Sequence, residues 1–173
     1  LEKGTIGAMS LDEIKTLLTD KFGPDTITGE ETGGLQTALL ILPERIAEVC
    51  RELRDNSKTY FDFLSSLTGV DYGVEAARFG VVYHLASIPY KTQLTLKISR
   101  ENNRDINNLP EFPSITTVYR SADWHEREAY DLMGIFFEGH PDLRRILLPD
   151  DWEGFPLRKD YKNAEFYKGI RID

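Results

Sequence analysis

The acidic and basic side chains that could do chemistry concentrate between Asp123 and Tyr161. His125 adjoins Glu126-Arg127-Glu128, and Asp131, His140, Arg144 and Arg145 follow. Two histidines with carboxylates nearby are the raw material of metal-assisted hydrolysis, with His125 and His140 as ligands and Glu126 as base. Their separation of fifteen residues matches no common ligand spacing. His140, immediately before Pro141, reads better as a residue that orients a turn. A two-carboxylate hydrolase centre from Glu126 and Glu128 is also poor chemistry, because helix neighbours two apart point different ways. There is no Gly-x-Ser-x-Gly elbow, phosphate loop or dinucleotide fingerprint. His84, beside Tyr83 in a strand pattern, reads as a core or strand-face residue. Asp71, next to Tyr72-Gly73, reads as a turn former rather than a metal ligand.

A helix is needed to position the central charges. Asp123 can cap it, with Glu126 three residues on, as in a capping box. Arg127 and Asp131 are four apart and can pair, Glu128 and Leu132 share another face, and Gly134 stops the helix. Trp124, Tyr130, Met133, Phe136 and Phe137 surround these charges. A charge beside apolar surface needs a partner, either in the chain or on another protein. Pro113-Ser114 is expected to start a preceding helix through Ile115, Val118 and Tyr119, with a break near Ser121-Ala122. Ile135 to Phe137 reads as a short strand, and Asp142 to Leu147 as a helical turn presenting Arg144 and Arg145. From Leu148 the periodicity is lost. Trp152, Phe155 and Tyr161 lie in an extended segment that cannot form its own core and must drape over its own domain or a partner.

The remainder supplies a scaffold. Ser10 caps a helix in which Leu11, Ile14, Leu17, Leu18 and Phe22 recur, and Gly23-Pro24 ends it. Glu30 to Gly34 reads as a loop and Leu35 to Leu42 as a strand buried on both faces. Pro43 opens a helix with Ile46, Val49, Cys50 and Leu53 inward. Thr59 to Tyr72 is ambiguous: Phe61, Phe63, Leu64 and Leu67 suit a short helix, and Thr68 to Tyr72 a strand. Phe79 to Ser87 and Gln93 to Ser99 form a hairpin about Ile88-Pro89-Tyr90. Arg100 to Phe112 is the main polar loop, read as a surface crossover or a partner-binding loop. The fold class is α+β, a mostly antiparallel sheet with helices packed on one face, followed by an extended C-terminal tail. Residues 1–8 read as a cloning remnant, 9–147 as one domain and 148–173 as a partner-binding tail.

Among the 173 residues a formal charge of −8 argues against a nucleic-acid module. One cysteine, Cys50, leaves no disulfide, cysteine-held cluster or structural zinc. No run of eighteen apolar residues exists, so no spanning helix is expected, and the N-terminus does not read as a secretory signal.

Glu126, Arg127, Glu128, Asp131, Leu132, Met133, His140 and Arg144, in that order and spacing, resemble the signature of the thirty-kilodalton subunit of respiratory complex I, the C-type subunit of bacterial NADH:quinone oxidoreductase. Gly134-Ile135, Phe137-Glu138-Gly139-His140-Pro141 and Pro156-Leu157-Arg158-Lys159-Asp160-Tyr161 agree with it. The likeness extends more loosely to about Tyr60. The resemblance implies a non-catalytic peripheral-arm subunit on the cytoplasmic face of the bacterial membrane. It implies no cofactor in this chain, with FMN and iron–sulfur clusters elsewhere in a proton-pumping complex that passes electrons from NADH to quinone. It implies docking to the forty-nine-kilodalton-type subunit, near the subunit with the terminal cluster. The signature residues, with Arg145, would fix that interface and the local fold, and Arg158, Lys159, Asp160 and Tyr161 would continue the contact along the tail. The alternative within the resemblance is the equivalent subunit of a membrane-bound hydrogenase.

Overall fold

The computed structural model describes residues 8–34, 36–163 and 165–172; apart from Ala8, the expected cloning remnant lies outside them. The centre is a long hairpin. β4 (Arg78–Ser87) and β5 (Thr92–Glu101) pair antiparallel from Arg78↔Glu101 to Ser87↔Thr92. Phe79, Val81, Tyr83 and Leu85 of β4 are buried on the same face as Leu94, Leu96 and Ile98 of β5. That alternation of large apolar side chains is what a sheet with one covered face requires.

β3 (Phe63–Asp71) adds antiparallel to β4. The helix entertained for Phe61 to Leu67 does not form. A register shift between Leu64 and Ser66 turns both Leu64 and Leu67 inward. A bulge thus puts an i, i+3 pair on one strand face and imitates a helical period.

β2 (Ala38–Ile41) runs parallel to β5, and β1 (Ile27–Glu31) closes the edge antiparallel to β2, giving the order β1-β2-β5-β4-β3. Glu30 and Glu31, expected in a loop, belong to β1. Edge strands tolerate charge, and here Lys15 pairs with Glu30 and Lys97 with Glu31.

Three helices cover the face bearing Phe79 and Tyr83. α1 (Leu11–Phe22) starts in a full capping box between Ser10 and Glu13. A short 3-10 turn at Pro43–Arg45 leads into α2 (Ile46–Asp55), whose Ile46, Val49, Cys50 and Leu53 are buried. α3 (Ala122–Met133) packs against β3. One apolar cluster joins all three helices to the sheet.

The helix expected through Ile115, Val118 and Tyr119 is a single turn, in which the N–H groups of Val118 and Tyr119 both donate to Ile115 O. It follows β6 (Glu111–Pro113), which pairs parallel with β7 (Phe136–Glu138).

α3 ends at Gly134, φ +65° and ψ +40°, with its N–H donating to Tyr130 O. A Cβ there would lie 2.5 Å from the Phe155 ring. Left-handed strain and overpacking therefore coincide. Gly134→Ala is expected to cost about 2–4 kcal/mol in urea unfolding; a loss under about 0.5 kcal/mol would show that Phe155 simply yields.

Candidate functional site

Asp131, on the last turn of α3, is the centre of the site and is fully buried. Its Oδ2 accepts from three successive backbone N–H groups, Ile146 at 2.9 Å, Leu147 at 2.7 Å and Leu148 at 2.9 Å. Its Oδ1 accepts from Arg145 Nη1 at 2.8 Å. Burial alone would raise this carboxyl's pKa, but the three N–H groups and Arg145 outweigh it and hold the group below its ordinary value. The expected helical turn over 142–147 is absent; the N–H groups of Ile146 and Leu147 turn to Asp131 instead.

The pairing expected between Arg127 and Asp131 is not made. Arg127 donates from Nε to Arg144 O and from Nη2 to Arg145 O, both at 3.2 Å, and its guanidinium lies 5.4 Å from the Trp124 ring centre. His140 has a side chain with no solvent exposure. Its Nδ1 accepts from Asp142 N at 3.0 Å, while Nε2 lies 3.2 Å from Asp123 O. Nε2 thus ties the turn to α3 while Nδ1 holds the turn itself, and neither is open to a metal. Arg144 is exposed and paired with Asp142.

The expected capping box of Asp123 and Glu126 is absent. The N-cap residue is Ser121, which makes no side-chain cap. Glu126 instead points inward, fully buried, accepting from Ile115 N at 2.8 Å and from Ser114 Oγ at 2.7 Å. Burial pushes its pKa up to about 7 against the opposing hydrogen bonds of Ser114 and Ile115.

A strap over residues 152–161 crosses the end of α3. Arg145 Nη2 donates to Trp152 O and Gly154 O. Phe155 is buried between the guanidinium groups of Arg145 and Arg158, at 5.3 and 4.7 Å from its ring centre. Arg158 donates to Met133 O, Gly134 O and Arg104 O, and also lies over Phe79. Arg104 grips Asp71 and Asp160 together, and Lys159 N donates to Asp71 Oδ2. Tyr161 Oη accepts from Trp152 Nε1. Burial would raise Asp71's pKa, yet Arg104 and the N–H groups of Lys159 and Gly73 bring it down to about 2. The tail anticipated from residue 148 therefore begins as part of the domain. Beyond it, β8 (Phe166–Tyr167) and β9 (Ile170–Arg171) form a small hairpin that rests on Trp152 through Tyr167.

Sequence reading missed Arg104, Asp71 and Phe155 as parts of this site. Asp71 and Arg104 sit 33 residues apart and no periodicity links them. The usable signal was a lone arginine within the Asn-rich loop. The side chains of Glu128, Leu132 and Met133 are not drawn into the hydrogen-bonded network, which uses only the backbone carbonyls of Leu132 and Met133; Glu128 is exposed and the other two are half-buried. Among the described residues no cluster of histidine, cysteine or carboxylate groups could hold a metal ion. A hollow of about 470 Å³ lies on the open sheet face around His84 and shares no residue with this network.

The arrangement is a set of clamps: carboxylates and guanidinium groups bind the chain's own backbone. The sequence model of the family described as respiratory-chain NADH dehydrogenase, 30 Kd subunit, matches residues 39–167. The chain belongs to that family. The span matched to the thirty-kilodalton subunit includes α2, most of the sheet, the Asp131 loop and the strap. The chain is 52% identical over 143 residues to the C-type subunit of the NADH-quinone oxidoreductase of Salinispora tropica, covering 79% of this chain and 56% of that one. It is 38% identical over 160 residues to the Chlorobium phaeobacteroides subunit of the same name, covering 90% and 91%. The chain spans about half the length of the Salinispora relatives it matches. Among solved structures, the trypsin-resistant fragment of Nqo5 aligns with TM-score 0.58 and 29% identity over 78% of this chain and 100% of the fragment. A chain of the archaeal membrane-bound sulfane sulfur reductase aligns with TM-score 0.69 over 87% of this chain and 85% of that one; at 22% identity it shows a common fold alone.

Proposed function

We propose that this chain is a peripheral-arm subunit of a proton-pumping NADH:quinone oxidoreductase, and that its contribution is structural rather than catalytic. It docks on the forty-nine-kilodalton-type subunit, near the subunit with the terminal cluster, on the cytoplasmic side of the bacterial inner membrane. The flavin and iron–sulfur clusters belong to other subunits; a single buried cysteine offers this chain no cluster ligand set. Among the described residues no helix is long and apolar enough to cross a membrane, in keeping with peripheral attachment.

The observation that carries the proposal is the family match over residues 39–167. Support also comes from how the signature charges are used. Asp131, Arg127, Arg145 and Arg158 shape a surface from loop and strap, as a docking subunit needs, and leave no open pair of acid and base. The hydrogenase alternative gains nothing from the relatives, which carry the oxidoreductase name.

The test uses this chain as bait in solubilised native membranes, with mass spectrometry of its companions. The expected companions are a large hydrogenase-like subunit together with iron–sulfur and NADH-oxidising subunits. A nickel hydrogenase instead would keep the fold and overturn the machine. NADH oxidation by the purified chain alone would overturn the structural role.

A further inference from the structure

We infer that the groove between α3 and β3 seats a basic, amphipathic segment of a partner subunit, with a lysine or arginine against Glu128. This rests on the assignment to a multisubunit complex made above. Glu126, Arg127, Asp131, Arg145 and Arg158 all find hydrogen-bond partners inside the chain. Glu128, from the same helix, does not: it is exposed, and its side chain makes no hydrogen bond or ion pair among the described residues. It stands at the rim of a groove lined mainly by Leu67, Ala129, Leu132, Met133 and Leu157, with Thr68 and His125 also on its wall. An unpartnered carboxylate beside an apolar slot selects a segment that carries both a cation and an apolar side chain.

The groove's size fixes the kind of occupant. It holds about 60 Å³, well short of the roughly 300–1,000 Å³ that small-molecule sites enclose. One protruding side chain suits it. The surrounding surface continues in the same character. Trp124, one turn before Glu128, is 64% exposed, and Leu157 is 52% exposed. Both are held in place: Trp124 stacks on Arg127, and the Leu157 N–H donates to Leu132 O. Exposed apolar groups fixed in advance by the fold lose little freedom on binding, and tryptophan over arginine is a composition favoured at interface centres. The chain's formal charge of −8 adds a general attraction for a basic partner.

The test works in the assembled complex. A photo-reactive residue replaces Leu132, and in a control replaces Gln93 on the open sheet face. Glu128→Lys and Glu128→Gln are made alongside. The expected result is a cross-link from position 132 to one partner subunit, in a peptide with lysine or arginine within a helical turn of the attachment point. Glu128→Lys should cut the amount of chain recovered with the complex about tenfold at moderate salt, and Glu128→Gln should cut it less. Neither should move the urea midpoint of the isolated chain. An intact complex with no cross-link from position 132, a cross-link to a second copy, a cross-linked peptide without a basic residue, or normal recovery of Glu128→Lys would each overturn the inference. A wild-type chain that recovers no NADH-oxidising partners would instead overturn the assignment on which it rests.

Discussion

Asp131→Ala is expected to lower the stability of the isolated chain by roughly 3–5 kcal/mol, as breaking a buried charge pair does. The carboxylate satisfies four donors at once, Arg145 and the N–H groups of Ile146, Leu147 and Leu148. Removing it leaves the Arg145 cation, with a side chain only 14% exposed, against carbonyls alone. Three converging N–H groups also lose their acceptor. Asp131→Asn separates shape from charge: it is isosteric, but it presents an amide N–H2 to a cluster of donors, so it should recover little. Urea unfolding followed by the fluorescence of Trp124 and Trp152 measures both variants. Hydrogen exchange at 146–148 should quicken first, because that loop has no other anchor of comparable strength. The effect is pH-dependent in a defined direction. Because the folded carboxyl lies below its ordinary 3.8, its stabilisation is present above that value and is lost as pH falls through the folded pKa. The alanine variant should therefore converge on wild type in acid. A cost below about 1 kcal/mol near neutral pH would show that the loop holds itself.

What the sequence made legible was local. Leu94, Leu96 and Ile98 alternate along β5, Ser10 caps α1, and Gly134 marks the end of α3. Each signal depends on neighbours within one turn or one cross-strand step. The failures have a common cause as well. Ile115, Val118 and Tyr119 share the spacing of a helix and of a single turn, and spacing alone does not separate the two. Arg127 and Asp131 have the spacing of an ion pair. Yet a loop fifteen residues downstream of Asp131 offers it three N–H groups and a guanidinium, a better set of donors than one surface arginine. The same holds for Arg104, which binds Asp71 and Asp160 from opposite directions along the chain. Sequence reading singled out the charged stretch from Asp123 to Tyr161, but the meaning of its charges lay in partners that only folding brings together.

Glu126 gives the second large effect, and it has the opposite sign. Burial raises its folded pKa from 4.5 to about 7, so the folded state binds the proton more tightly than the unfolded chain does. The associated stability is fully present below 4.5 and is lost as pH rises through 7. Each tenfold difference in proton affinity between folded and unfolded chain is worth about 1.4 kcal/mol, so the wild-type chain should lose about 3 kcal/mol across that window on account of this group. Glu126→Gln tests it directly, because glutamine reproduces the protonated carboxyl. Its Oε1 can accept from Ile115 N while its Nε2 donates to Ser114 Oγ. That hydroxyl then turns its proton toward Thr116 Oγ1, 2.8 Å away. The second Nε2 hydrogen finds no partner among these groups, which offsets part of the gain. The variant should match wild type near pH 5, exceed its stability at pH 8, and show a flatter profile between the two by urea unfolding. A Glu126→Gln chain that is less stable than wild type at pH 8 would mean that the ionised carboxylate is held more strongly by Ser114 and Ile115 than its burial penalises it. Asp131 and Glu126, five residues apart on α3, would then be two versions of the same device. Their surroundings make them contrasting ones: four donors keep Asp131 charged, whereas two donors in a drier setting leave Glu126 near the point of protonation at neutral pH.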